Sequence, residues 1–389
     1  MRSHKLSCLV LLVVFGAIGS MTVPCVAAEE KVLTIGFTAP LSGRAAEYGR
    51  MQKQGVEFAV EEINAKGGIK GFKFEVVTED DKLDPKEAAN IAKKFGSNEK
   101  IKVVVGGAGT SPAFAAAPIF QKEKLPFIVS LASNPKIADE GTYIFQNSTT
   151  QLGESPATAW YAVKELGAKK IALIHSNDDL GRSVRDYFPQ AVKKMGGEMV
   201  AIDAYTPGEI DFRNLLIKIK DLNPDVLYCS VQAAESAQFV LQAKELNVKF
   251  PFFFGGGTAG KAFLQLAGAE AEGKVMTTSL ADGDPNPVVQ SYIKRFKAKF
   301  NEPPSIYSLY IYDSIYLIAK AVESIRGEIT RDSIRDALAV LKDVPCVLGP
   351  MSAEPNRHFG PRRLAFGIVK NGQLTFLLSV PPNEVVKVE

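Results

Sequence analysis

At 389 residues and 46% hydrophobic composition, the chain can bury more than one core, and its length alone points to about two domains. Its 46 basic and 43 acidic side chains nearly cancel, so there is no electrostatic case for a nucleic-acid partner. Its three histidines, His4, His175 and His358, stand at no metal-ligand spacing and leave a zinc site without support.

The start of the chain reads as a removable export signal over residues 1–28. Arg2, His4 and Lys5 form a basic head, residues 6–18 an apolar run, and Val26 and Ala28 stand where small residues precede cleavage. That run is shorter than the roughly 20 residues that span a bilayer, and no later stretch replaces it, so the mature chain is expected to be soluble. A lipid anchor at Cys25 is the competing reading. Thr22, Val23 and Pro24 before it weigh against it, because a lipid-attachment signal needs aliphatic and small residues there. Cys229 and Cys346 remain; Cys229 falls inside an apparent buried strand, so both read as separate small apolar residues.

Strand-like and helix-like periods then alternate. Residues 32–37 form an apolar strand and 40–43 a loop. Helix 51–65 places Val56, Ala59, Val60 and Ile63 on one face, and Gly67 and Gly68 stop it. Residues 72–79 form a second strand, Asp84 and Pro85 open a helix, and strands follow at 103–105 and 125–129. A second series begins near residue 157, with helices 157–166, 182–195, 212–222 and 236–246 and strands 170–175, 198–205, 226–230 and 250–255. Two doubly wound parallel-sheet lobes in tandem are predicted. Residues 277–280 lead to helices 287–300 and 307–324, and 349–363, rich in Pro and Gly, shows no period; these breaks read as hinges.

Open parallel sheets bind ligands beyond the carboxyl ends of their strands. The loops Gly106 to Pro112 and Ser130 to Pro135 each set hydroxyls and backbone N–H groups just before a proline that can open a helix, an arrangement that holds an anion. Ser111, Ser133 and Asn134 read equally well as plain helix caps. The glycines at 106–109 lack the third glycine of a dinucleotide fingerprint and the Lys-Ser/Thr pair of a phosphate loop. Glu79, Asp80, Asp81 and Asp84 lack the glycine and terminal glutamate of a calcium loop and read as a strand end plus a cap. His175 with Asp178 and Asp179 has no nucleophile motif beside it, so no catalytic constellation, cofactor or metal site is expected.

The segments APLSGRAAEYG at 39–49, GVEFAVEEINAKGGI at 55–69 and EDDKLDP at 79–85 closely resemble the leucine/isoleucine/valine-binding protein family, the type I periplasmic solute-binding proteins of ABC transporters. Asp211-Phe212, Glu302-Pro303-Pro304, Tyr312-Asp313 and Gly349-Pro350 share the resemblance, which covers nearly all of the chain after the signal. It implies an α/β type I periplasmic-binding fold: lobe I from 31–148 plus 281–348, lobe II from 151–278 plus 353–389, and hinge crossings near 147–150, 277–280 and 348–352. It also implies a periplasmic monomer that closes on a small ligand and docks on permease and ATPase subunits of separate chains, without chemistry. A ligand-sensing domain of a signalling system is the alternative.

By the same resemblance, a ligand carboxylate is held by loops matching Thr110, Leu131 and Ser133, with Ser111 and Ala132 beside them, and Tyr48 belongs to the first-lobe wall. The second lobe departs from the pattern. Gly255-Gly256-Gly257-Thr258 stands where amino-acid binders place an acid for the ammonium, and Leu180 and Val231 stand in place of pocket tyrosines. A buried ammonium without an anion costs several kcal/mol. The expected ligand is therefore a carboxylate that lacks the amine, such as an aliphatic or aromatic acid. A leucine-like amino acid is the second choice, with Asp178, Gln232 or Asp282 supplying the acceptor. Arg44 is placed either against the carboxylate or in solvent.

Overall fold

The computed structural model describes residues 31–360, 363–381, 384 and 386–388; the expected signal and Cys25 lie outside them. The first series runs β1 (Lys31–Ala39), α1 (Ala46–Ala65), β2 (Phe72–Asp80), α2 (Pro85–Gly96), β3 (Ile101–Gly106), α3 (Thr110–Lys122), β4 (Phe127–Val129) and β5 (Ile144–Gln146). Its five strands are parallel, in the order β2-β1-β3-β4-β5. Side chains along a strand alternate between faces, so the sheet is apolar on both sides, as a covered parallel sheet must be. Ile35, Val103 and Val105 enter one core, and Val104, Phe127 and Val129 enter another with Phe95 and Phe120 of α2 and α3.

The second series runs α4 (Gln151–Trp160), β6 (Lys170–Ser176), α5 (Asp179–Lys194), β7 (Glu198–Tyr205), α6 (Arg213–Leu222), β8 (Val226–Ser230), α7 (Ala233–Glu245), β9 (Phe252–Phe254), α8 (Lys261–Ala267) and β10 (Val275–Thr278). The chain then returns to the first sheet with α9 (Pro287–Phe300), α10 (Ile306–Ser324) and α11 (Arg331–Ala339), whose Tyr292, Phe296, Leu309, Ile311 and Leu338 complete the first core. Helix α1 crosses α10 closely. A Cβ on Gly55 would lie 2.2 Å from the Ser308 carbonyl oxygen, so only glycine fits there.

Three short strands follow, β11 (Val344–Cys346), β12 (Gly349–Ala353) and β13 (Phe359–Gly360), and then β14 (Ala365–Lys370) and β15 (Gln373–Ser379). The last two add antiparallel to the second sheet, giving the order β15-β14-β10-β9-β8-β6-β7. Together these form a mixed α/β fold of two lobes, as the resemblance implies.

Three expectations change. Residues 353–360 do not join the second lobe, and the third crossing is not at 348–352. Met351, Ala353 and Phe359 are buried in the first core, Phe359 stacks on Phe145 at 6.0 Å, and the chain enters the second sheet only at Ala365. The described chain leaves the first lobe's strands at Gly360 and joins the second sheet at Ala365. Helix 157–166 starts earlier, at Gln151, because Pro156 is accommodated in its second turn instead of breaking it. The unperiodic stretch from 349 contains strands, held by antiparallel pairing of β12 with both β11 and β13.

The crossings are tied to one another. The Tyr310 hydroxyl lies 2.9 Å from Thr149 Oγ1 on the first and 2.8 Å from Ser279 Oγ on the second. Asp284, buried after the second, ion-pairs with Arg363 on the third. Cys229 and Cys346 are both buried, in the cores of different lobes. Among the described residues no helix is long and apolar enough to cross a membrane.

Candidate functional site

A cleft of about 520 Å³ opens between the lobes, at the carboxyl ends of both sheets. That size suits a small organic ligand. Its first-lobe wall is built by the loops after β3 and β4. Gly107 adopts φ +72°, which turns the chain sharply out of β3, and α3 begins at Thr110 with Gly109 as its N-cap. The N–H groups of Thr110 and Ser111 sit in the first turn of α3, where no carbonyl four residues back can accept them within the helix, and both residues line the cleft. Leu131, Ala132 and Ser133 line it from the next loop. The Ala132 N–H is already given to the Gly107 carbonyl at 2.9 Å, so Ala132 shapes the loop. Asn134 is a cap, accepting from the Lys136 N–H at 3.0 Å, whereas Ser111 and Ser133 cap nothing and face the cleft.

Tyr48 closes the mouth. Its ring stacks on Tyr307 at a centroid distance of 4.5 Å, and its hydroxyl donates to the Gly257 carbonyl (3.2 Å) while accepting from the Ala233 N–H (3.2 Å). The hydroxyl thus spans from α1 of the first lobe to two loops of the second. Burial is the main reason its pKa is pushed up to about 12. Ser111 makes a second link across the cleft, to Asp179 at the start of α5. Burial raises the Asp179 carboxyl, and hydrogen bonds from Ser111 and Arg182 outweigh it, leaving the group below its ordinary range.

Leu180, Val231, Gln232 and Gly257 line the second-lobe wall of the cleft. Asp178 also lines the cleft, but its carboxylate is engaged as the cap of α5, accepting from the Gly181 N–H at 2.9 Å and Ser176 Oγ at 2.7 Å. Asp282 does not reach the cleft. It faces a separate recess, where Lys297 Nζ holds both its oxygens at 3.0 and 2.9 Å. The side chain of Arg44 lies outside the described residues.

The residue that sequence reasoning missed is Glu154, in the first turn of α4. Its Oε1 accepts from the Thr277 hydroxyl (3.1 Å) and the Gly256 N–H (3.3 Å), and its Oε2 accepts from Gln151 Nε2 (3.0 Å). The same Gln151 nitrogen donates to Ser133 Oγ at 3.3 Å, so one amide joins Glu154 to the loop expected to hold the carboxylate. Burial raises the Glu154 carboxyl above its usual value, with those three hydrogen bonds opposing. An acid in the first turn of a helix is ordinarily a favourable end charge, which hid this one.

The other early candidates resolve structurally. His175 donates from Nδ1 to the Ser176 carbonyl at 2.8 Å. Asp81 accepts from Thr38, Asp84 caps α2, and Glu79 pairs with Lys94. No group of metal-ligating side chains occurs among the described residues.

An interlobe cleft at the strand ends, bridged by the Tyr48 hydroxyl and by Ser111, defines a two-lobed binding receptor. The chain belongs to the periplasmic binding protein family, whose profile matches residues 32–373. It is 29% identical to the Leu/Ile/Val-binding protein of Escherichia coli K12, over 80% of this chain and 88% of that protein. It is 30% identical to the Leu/Ile/Val-binding protein homolog 3 of Brucella melitensis, over 79% and 83% respectively. Among solved structures, the branched-chain amino acid transporter substrate-binding protein LivJ of Streptococcus pneumoniae, in complex with isoleucine, superposes with a TM-score of 0.83 at 28% identity, covering 90% of this chain and all of that one. The first two are named as Leu/Ile/Val-binding proteins, and the third as the substrate-binding protein of a branched-chain amino acid transporter.

Proposed function

We propose that this chain captures a small carboxylate-bearing solute in the periplasm and presents it, chemically unchanged, to the permease of an ABC importer. The observation that carries this reading is the convergence of the α3 N-terminus and the Ser133 loop from one lobe on Leu180, Val231 and Gly257 of the other, around one cleft. The first-lobe side offers N–H and hydroxyl donors to an anion, and the second-lobe side offers apolar surface to the rest of the ligand. The ligand bridges both lobes and so stabilises the closed form, to the extent that it binds that form more tightly than the open one. The three crossings serve as the hinge. The isoleucine held by the pneumococcal neighbour and the names of the relatives favour an amino acid as the solute.

A thermal-shift screen of the mature chain against amino acids and matched carboxylic acids tests the proposal. A true ligand at a hundredfold excess over its Kd stabilises the fold by about 2.7 kcal/mol, which gives a clear shift. If no carboxylate in the panel moves the transition, the reading fails.

A further inference from the structure

We propose that Glu154 replaces the acid missing from the Gly255–Gly257 loop and receives the ammonium of an α-amino acid, so that this residue sets the receptor's preference for amine-bearing ligands. The inference rests on the carboxylate-capture reading above and deepens it.

Three observations carry it. The first is position: the Glu154 carboxylate sits against the very loop that lacks an acid. A Cβ built on Gly255 or Gly256 would lie 3.6 or 3.7 Å from Glu154 Oε1, and the Gly256 N–H already donates to that oxygen. The carboxylate, arriving from α4, thus lies in van der Waals contact with the backbone of that loop. The second is spacing. An α-amino acid carries its ammonium one carbon from its carboxylate, so the two receiving sites must be close neighbours. Here Gln151 Nε2 touches both Glu154 Oε2 (3.0 Å) and Ser133 Oγ (3.3 Å), which puts the acid and the carboxylate loop one amide apart.

The third is charge. Among the described residues, the cleft lining contains the carboxylates Glu47, Glu154, Asp178 and Glu235 and no Lys, Arg or His. A ligand bearing only a carboxylate meets those described carboxylates with repulsion, whereas a zwitterion also brings a cation to them. Asp178 and Glu235 have backbone or side-chain donors of their own, from Gly181 and Ser176 and from Gly208. Glu154 is held by a hydroxyl, an amide and one N–H, all neutral. A buried carboxylate so placed is stabilised by an arriving ammonium. This reading replaces the expected preference for an amine-free acid with one for an amino acid.

The test is calorimetry of the mature wild type and of Glu154→Gln, with each L-amino acid set against the same skeleton lacking the amine, for example L-leucine against 4-methylpentanoate. The wild type is expected to bind an amino acid about 10- to 100-fold more tightly than its amine-free partner, the worth of one charge-assisted contact. In Glu154→Gln, which is isosteric and retains a hydrogen-bonding side chain, that ratio should collapse towards one through loss of amino-acid affinity. Glu154→Asp, which keeps the charge, should retain part of it and controls for misfolding. Equal or tighter binding of the amine-free acid, or an unchanged ratio in Glu154→Gln, overturns the role of Glu154 and leaves carboxylate capture standing. Binding of neither member of any pair removes both.

Discussion

Replacing Tyr48 by Phe removes a single hydroxyl at the place where the lobes meet. The ring remains, with its stack on Tyr307 at 4.5 Å. What is lost between the lobes is the bond to the Gly257 carbonyl and the bond from the Ala233 N–H, both 3.2 Å; a hydrogen bond with Tyr307 is lost within the first lobe. In an open form the Gly257 and Ala233 groups face water, so the interlobe part of the loss falls on the closed state. Two neutral hydrogen bonds of this kind contribute together about 1–2 kcal/mol net. If closure is required for tight binding, the apparent Kd rises by the same factor by which the closed population falls, about 5- to 30-fold. Calorimetric titration of the variant with its best ligand reads that factor directly, and the melting temperature of the ligand-free variant should fall only by what the Tyr307 bond contributes. An affinity within twofold of wild type would show that Tyr48 does not latch the cleft.

Other outcomes follow from the same geometry. Thr110→Val keeps the shape of the α3 start and deletes its hydroxyl; it should weaken any carboxylate ligand about 10-fold or more while leaving the ligand-free melting temperature unchanged, and undiminished affinity would remove Thr110 from the site. Burial holds the Glu154 carboxyl above its unfolded pKa, so the folded chain retains that proton to higher pH and the ligand-free protein loses stability as pH rises through the interval. Glu154→Gln should therefore melt higher than wild type at neutral pH, with the gain vanishing as acid protonates the wild-type group; a variant that melts lower at neutral pH contradicts this. Glu62 in α1 is the opposite case. Burial raises it, but hydrogen bonds from Tyr312 (2.6 Å), Arg295 and Tyr316 (2.9 Å) win and hold it below its usual value. Its contribution is present at neutral pH and is lost as pH falls through the lowered pKa, so Glu62→Gln should cost about 1–3 kcal/mol in urea denaturation at neutral pH and less in acid.

Much of this was legible in the sequence wherever period and composition speak. The alternation of apolar strands with one-faced helices announced the parallel strands of both sheets but not β14 and β15, which make the second sheet mixed, and the hydroxyls before Pro112 and Pro135 fall on the first-lobe wall. Leu180, Val231 and Gly257 also fall on the cleft, where the resemblance placed them. The misses have physical causes. Strands β11 to β13 are two to five residues long and rich in Gly and Pro, and their pairing depends on neighbours distant in sequence, which no local period records. Asp282 was within reach by sequence and is instead drawn off by Lys297, an ion pair visible only in three dimensions. Glu154 was hidden because its meaning lies in the loop it faces, about a hundred residues on, whose Gly256 N–H it accepts.

Closure on a bound carboxylate is the central claim, and small-angle X-ray scattering of the mature chain with and without saturating ligand tests it most directly. The account predicts a smaller radius of gyration with ligand, and a Tyr48→Phe curve that compacts only at higher ligand concentration. A ligand shown by calorimetry to be bound, with the scattering curve unchanged, would contradict it.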